Sequence, residues 1–173
     1  MTSEGPVRLT LLPEAARFSL RVRQSDIAAA ARAFGAALPA RIGQTASAGP
    51  RSSLCLGPDE WVLHTSTDDA EALQQAFAAI AGAAPHSLTD ISDRDRSILL
   101  SGPLVEDLLS TGCPRDVSSI PLGAGVRTVF DTVQVVLIRD GVTDFRLEVA
   151  RSYLPHVMAL LAMANLELAV AAG

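Results

Sequence analysis

The residues of this chain able to do chemistry are few and scattered. His64, His86 and His156 each lack a ligand or nucleophile at a diagnostic spacing, so structural or solvent-facing roles are expected. Cys55 sits in the apolar run Leu54-Cys55-Leu56 and reads as a buried small hydrophobe. Cys113, before Pro114 in a predicted loop, is expected to be more exposed. Neither belongs to a C-x-x-C or metal-spaced pattern, and both read as reduced thiols. All 14 basic residues are arginine, which removes Schiff-base and P-loop lysine chemistry.

Asp90, Asp93 and Asp95 interleave with Arg94 and Arg96. Such carboxylates could bind a cation or work as an acid/base pair, but the glycine and distal glutamate of a calcium loop are missing. Alternating opposite charges in a turn form a solvated, mutually neutralising patch, and any function here is docking rather than catalysis. Gly123-Ala124-Gly125 has Thr128 where a dinucleotide fingerprint needs glycine, and a strand rather than a helix follows. The sequence thus offers no catalytic, cofactor-binding or metal site of its own.

Composition agrees. The chain has 173 residues, 49% hydrophobic and 19% charged, with a net charge of −5. That length suits one globular domain with a sizeable core, and the high hydrophobic share excludes intrinsic disorder. An acidic chain without a basic block is a poor partner for nucleic acid. The N-terminus shows no secretory h-region, and His156, Asn165 and Glu167 interrupt the apolar C-terminal stretch. A cytoplasmic protein without a membrane span is therefore expected. The apolar surplus, part of it helical alanine, suggests surface for a partner to cover.

Periodicity supplies the scaffold. Arg17 to Arg23 alternates as a half-buried strand, with its arginines outward. Ser25 is placed to cap a helix whose stripe is Ile27, Ala30, Ala31, Phe34 and Leu38, closed by Pro39. Residues 41–51 read as a mobile loop. Two short strands follow around Gly57-Pro58-Asp59-Glu60, with Trp61 expected in the core. A second helix carries Leu73, Ala76, Phe77 and Ile80. Strands over 87–91 and 96–100 then flank the Asp/Arg turn. A short helix reaches Leu109, strands cover 126–130, 133–138 and 145–149, and Ser152 opens a C-terminal helix. The alternation is β-α-β-β-α-β, then roughly the same again: an α+β fold of repeated split βαβ units. Residues 1–16 read as an N-terminal extension with freedom to move, and 17–173 as a single domain.

Five segments carry a resemblance in order: Leu56-Gly57-Pro58-Asp59-Glu60-Trp61-Val62-Leu63, Ser87-Leu88-Thr89-Asp90-Ile91-Ser92-Asp93-Arg94, Leu100-Ser101-Gly102-Pro103, Gly112-Cys113-Pro114-Arg115-Asp116 and Arg151-Ser152-Tyr153. Together they resemble the gamma subunit of heterotetrameric sarcosine oxidase. Its fold is similar to the folate-binding domain of the glycine-cleavage aminomethyltransferase. The resemblance implies membership of a complex that oxidatively demethylates sarcosine to glycine, passing the one-carbon unit to tetrahydrofolate. It also implies alpha, beta and delta partner subunits, with FAD, FMN, NAD and tetrahydrofolate held by the partners. An N-methylglutamate dehydrogenase-type complex carries a similar subunit and is the alternative. Others are a stand-alone folate-binding one-carbon protein, with Asp90 as its buried acid, and a self-associating interaction domain. The expected partner interface is the turn Asp93, Arg94, Asp95 and Arg96, with the C-terminal helix face of Val157, Leu160, Leu161 and Leu168.

Overall fold

The computed structural model describes residues 5–171. The outermost parts of the expected extension and domain, residues 1–4 and 172–173, lie outside the described residues. Instead of a single domain, the chain forms two compact units. One runs from Glu14 to Ser92; the other joins the segment through Pro13 to the chain from Asp93 onward.

The chain enters through β1 (Arg8–Leu11), a strand of the second unit, and then builds the first. There β2 (Ala16–Val22) puts Phe18, Leu20 and Val22 into the core. On its other face Arg21 is exposed as expected, as is Arg23 just beyond the strand. Arg17 is buried instead, its guanidinium donating to the Ala15 carbonyl at 3.4 Å. Helix α1 (Ile27–Phe34) buries Ala30 and Phe34. It ends before Leu38 because Gly35, at φ 72°, takes the left-handed turn and donates to the Ala31 and Arg32 carbonyls. The expected mobile loop contains β3 (Thr45–Ala48), hydrogen-bonded to β4 (Arg51–Gly57). Then come β5 (Glu60–Thr65), α2 (Ala70–Ile80) and β6 (His86–Asp90). The antiparallel sheet runs β3-β4-β5-β2-β6. Its core gathers Phe18, Leu20, Cys55, Trp61, Leu63, Phe34, Leu73 and Phe77. The indole of Trp61 is buried as expected and donates to the Pro39 carbonyl at 2.9 Å.

The second unit comprises β7 (Asp95–Ser101), α3 (Val105–Ser110), β8 (Gly125–Phe130), β9 (Val133–Arg139), β10 (Asp144–Ala150) and α4 (Leu154–Ala171). Its sheet runs β1-β7-β10-β9-β8 and is also antiparallel. Laid on the first unit, β7 takes the place of β2, β8 of β3, β9 of β4, β10 of β5 and α4 of α2. The place of β6 falls to β1. The repeat foreseen from alternation is therefore present, and its closing strand comes from the front of the chain. Residues 8–11, expected to be loose, pair Leu9 with Leu100 and Leu11 with Ile98. Val7 and Leu9 are buried because their alternation with Arg8 and Thr10 is that of a strand.

Candidate functional site

The expected interface turn is not a hairpin turn. β6 pairs with β2 and β7 with β1 and β10, so the strands on either side of Asp93 lie in different sheets. Asp95 and Arg96 already belong to β7, opposite Ala150 and Val149. Arg96 donates to the Leu12 carbonyl at 3.3 Å, and Asp95 accepts from the Arg94 guanidinium at 3.4 Å. Only Asp93 and Arg94 remain exposed. Asp93 lies 3.7 Å from Arg151, and the Arg94 carbonyl accepts from the Arg151 N–H at 2.8 Å. The segment fastens the start of β7 to the end of β10.

The second half of the expected interface needs a correction of face. Val157 and Leu161 are fully buried in the unit's own core, and Leu160 and Leu168 pack partly against it. They are the seam by which α4 closes over its sheet. Asn165 continues that seam and is also fully buried. Its side chain accepts from the Val7 N–H at 3.0 Å and donates to the Val7 carbonyl at 2.8 Å.

The opposite side of α4 is where apolar surface is exposed. Ala159, Met163, Leu166 and Val170 recur at spacings of four, three and four, all on the outward side. Sequence reasoning missed this stripe because α4 is apolar on every side, so periodicity alone does not choose the buried face. Asn165 carried the missing signal: a polar residue in an apolar helix marks the side where it finds partners. By length and composition α4 could cross a membrane, an 18-residue window within 151–171 reaching a mean hydropathy of 1.6.

The histidines and cysteines are dispersed. His64 is on β5, His86 packs its ring edge-on to Phe77, and His156 is 3.5 Å from Asp131. Cys55 is buried, and desolvation pushes its thiol pKa up. Cys113 is buried too, against the expectation: it joins the second unit's core, its N–H donates to the Leu109 carbonyl at 2.8 Å, and its thiol lies 3.7 Å from the hydroxyl of the β8 residue Thr128. Asp90 is exposed and accepts from the Ser92 N–H and hydroxyl and from Gln74. It is not a buried acid in a cleft. Gly123-Ala124-Gly125 leads into β8 and holds no helix start. Among the described residues, no three His, Cys, Asp or Glu side chains gather as a metal site.

A wide, open concavity of about 740 Å³ lies along β1 and β7, bordered by Arg8, Thr10, Leu99 and Ser101. It presents one guanidinium and two hydroxyls, and the Ser101 hydroxyl donates to the Asp144 carboxylate at 2.5 Å.

Against known proteins, the profile of the sarcosine oxidase gamma subunit family matches residues 22–167. Sarcosine oxidase subunit gamma of Corynebacterium sp. (strain P-1) is 30% identical over 163 residues, covering 91% of this chain and 79% of its own. That of Corynebacterium sp. (strain U-96) is 29% identical over 134 residues, 76% of this chain. This chain spans 64% of that relative's length. Among solved structures, heterotetrameric sarcosine oxidase from Corynebacterium sp. U-96, in complex with pyrrole 2-carboxylate, contains a similar chain. It superposes with a TM-score of 0.86 at 26% identity, over 97% of this chain and 89% of that one. The glycine cleavage system aminomethyltransferase T of Bartonella henselae shares the fold, with a TM-score of 0.70 at 11% identity, over 92% of this chain and 46% of that one. Matched by the profile through both units and by relatives of the same description, the chain belongs to the sarcosine oxidase gamma subunit family.

Proposed function

We propose that this chain is the non-catalytic gamma subunit of a heterotetrameric sarcosine oxidase. The observation that carries the reading is the near full-length likeness to one chain of that complex, which spans both units. In this reading alpha, beta and delta subunits hold FAD, FMN, NAD and tetrahydrofolate in the cytoplasm. They demethylate sarcosine to glycine and pass the one-carbon unit to tetrahydrofolate. The gamma chain supplies a rigid packing surface. Support comes from the dispersal of its histidines and cysteines and from the use of its buried polar groups in holding elements together.

The likeness favours sarcosine oxidase over the N-methylglutamate dehydrogenase type and over a stand-alone folate protein. The test is to express the tagged chain with the genes beside it and purify it gently. Co-elution of a yellow, flavin-bearing partner whose flavin is bleached by sarcosine is the expected result. Recovery of the chain with no flavin-bearing partner would overturn the reading.

A further inference from the structure

Helix α4 is longer than its place in the repeat requires. It has 18 residues, where α2, in the equivalent position, has 11 before the chain turns back to β6. Much of the exposed stripe lies on the added length: Leu166 and Val170 are 51% and 83% exposed, and Met163 just before them 55%. Their 3-4 spacing is that of a seam which receives another helix. Beside the stripe a cavity of about 180 Å³ opens between α4 and the turn joining β8 to β9. Ligand pockets are about 300–1,000 Å³, so this one suits a single side chain. Phe130, Leu160, Met163 and Ala164 give it apolar walls, and its charged lining residues are Asp131 and Glu167.

We propose that the outer face of α4 is a docking surface for an amphipathic helix of a flavin-bearing partner subunit. That helix lays its apolar stripe on Met163, Leu166 and Val170 and inserts an arginine or lysine into the adjoining cavity. The charge of the cavity selects this occupant. A long basic side chain can rest its methylenes on Phe130 and Met163 while its head reaches the two carboxylates. An acidic side chain would meet repulsion, and a wholly apolar one would leave the carboxylates facing it without a counter-charge. Asp131 is ready for the role: hydrogen bonds from Thr132 and His156 hold its carboxyl below the usual range, so it is ionised at neutral pH. Lipid contact fits less well, because Glu167 sits on the stripe's flank and Asp131 beside it.

The inference rests on the reading of the chain as a subunit, and the test separates the two. The full chain is co-expressed with the tagged flavoprotein subunits, as wild type, as Met163→Glu/Leu166→Glu, as Glu167→Arg, and as the control Glu71→Arg on α2. Circular dichroism confirms that each variant folds. Wild type and control should be recovered equally, the double variant should fall about tenfold or more, and Glu167→Arg should fall severalfold. If wild type itself recovers no flavoprotein, the subunit reading fails. If wild type is recovered and the double variant matches it, the docking surface is wrong while the subunit reading stands. Two further results would also overturn the proposal. One is a wild-type dimer, alone in solution, that the double variant abolishes. The other is wild-type flotation with phosphatidylcholine–phosphatidylglycerol vesicles that the double variant loses.

Discussion

Asn165 holds both backbone polar groups of Val7, accepting its N–H at 3.0 Å and donating to its carbonyl at 2.8 Å across 158 positions of sequence. The ladder between β1 and β7 begins only at Arg8, opposite Ser101. Val7 is buried one residue earlier, where no strand is in register with it, and the Asn165 carboxamide stands in for the missing strand. Asn165→Ala removes both of these hydrogen bonds from buried backbone groups, at a cost of about 2–4 kcal/mol. Amide exchange should accelerate at Val7 and Leu9, while Trp61 fluorescence, in the other unit, keeps its native spectrum. Unchanged exchange at both amides would show that β1 is held by its ladder alone.

Gly102 makes the second contact that seats the entering strand. Its φ is 153°, and a β-carbon there would collide with the Pro6 carbonyl oxygen. Gly102→Ala must push Pro6 away and strain the backbone, costing about 2 kcal/mol or more. Gly82, with open space around it, is the control. There alanine should be neutral or stabilise by up to about 1 kcal/mol through the unfolded chain. Urea unfolding of the two variants against wild type gives the comparison.

What was legible follows from where the pattern is local. β2 announces itself because Phe18, Leu20 and Val22 alternate with arginine and serine, and the turn at Pro58-Asp59 supplies its own dihedrals. β3 did not, because Thr45, Ala46, Ser47 and Ala48 carry no large apolar side chain; they form a strand because β4 offers an edge. β1 shows the opposite failure. Val7, Leu9 and Leu11 do alternate, yet the strand's partner is about 90 residues away and no local rule supplies it. At the candidate interface the C-terminal helix was legible as an element, but its faces were not. Val157 and Leu161 look no different in sequence from Met163 and Leu166, and only Asn165 breaks the tie.

Arg139 is the knot of the second unit. Its guanidinium donates to the Ser118, Ile120 and Val142 carbonyls at 3.2 Å and to Glu106 at 2.7 Å, over the ring of Phe145 at 5.1 Å. One planar fork thus joins α3, the loop before β8 and the β9–β10 turn. Lysine keeps the charge but cannot reach several partners in one plane. Arg139→Lys should cost about 1–2 kcal/mol and Arg139→Leu about 2–4 kcal/mol, the latter leaving several carbonyls and Glu106 unserved. Equal midpoints for Lys and wild type in a thermal melt would reduce the fork to a point charge.

The two cysteines give a label-based check on packing. Cys55 is fully buried with its thiol pKa raised, first by desolvation, so the nucleophilic thiolate is scarce at neutral pH. Its thiol also donates to the Gly57 carbonyl at 3.2 Å. Cys113 is 7% exposed and close to the surface. An aromatic disulfide reagent at pH 8 should modify Cys113 first and Cys55 only as the first unit opens. Cys113→Ser should therefore remove the faster phase. Rapid labelling of Cys55 in the native state would contradict its burial.

The Arg51–Asp69 pair sets an acid limit on the first unit. Arg51 donates to both Asp69 oxygens at 2.7 Å and to the Phe34 carbonyl at 2.6 Å, while the Thr65 hydroxyl adds a bond of 2.7 Å to Asp69. The Arg51 hydrogen bonds, then that of Thr65, hold the Asp69 carboxyl below its ordinary value of 3.8. A carboxylate lowered on folding binds its proton more readily in the unfolded chain, so its contribution is complete above the unfolded value and is lost as pH falls through the folded one. Both side chains keep about a quarter of their exposure (24% and 23%), which limits the contribution to about 1–2 kcal/mol at pH 7. Asp69→Asn should cost that amount at pH 7, and its stability should converge with wild type as pH drops below 4. Asp59→Asn, at the more exposed Arg21–Asp59 pair, should change stability by less than about 0.5 kcal/mol at either pH. A difference between Asp69→Asn and wild type that persists undiminished at pH 2 would mean the asparagine disturbs packing, not an ion pair.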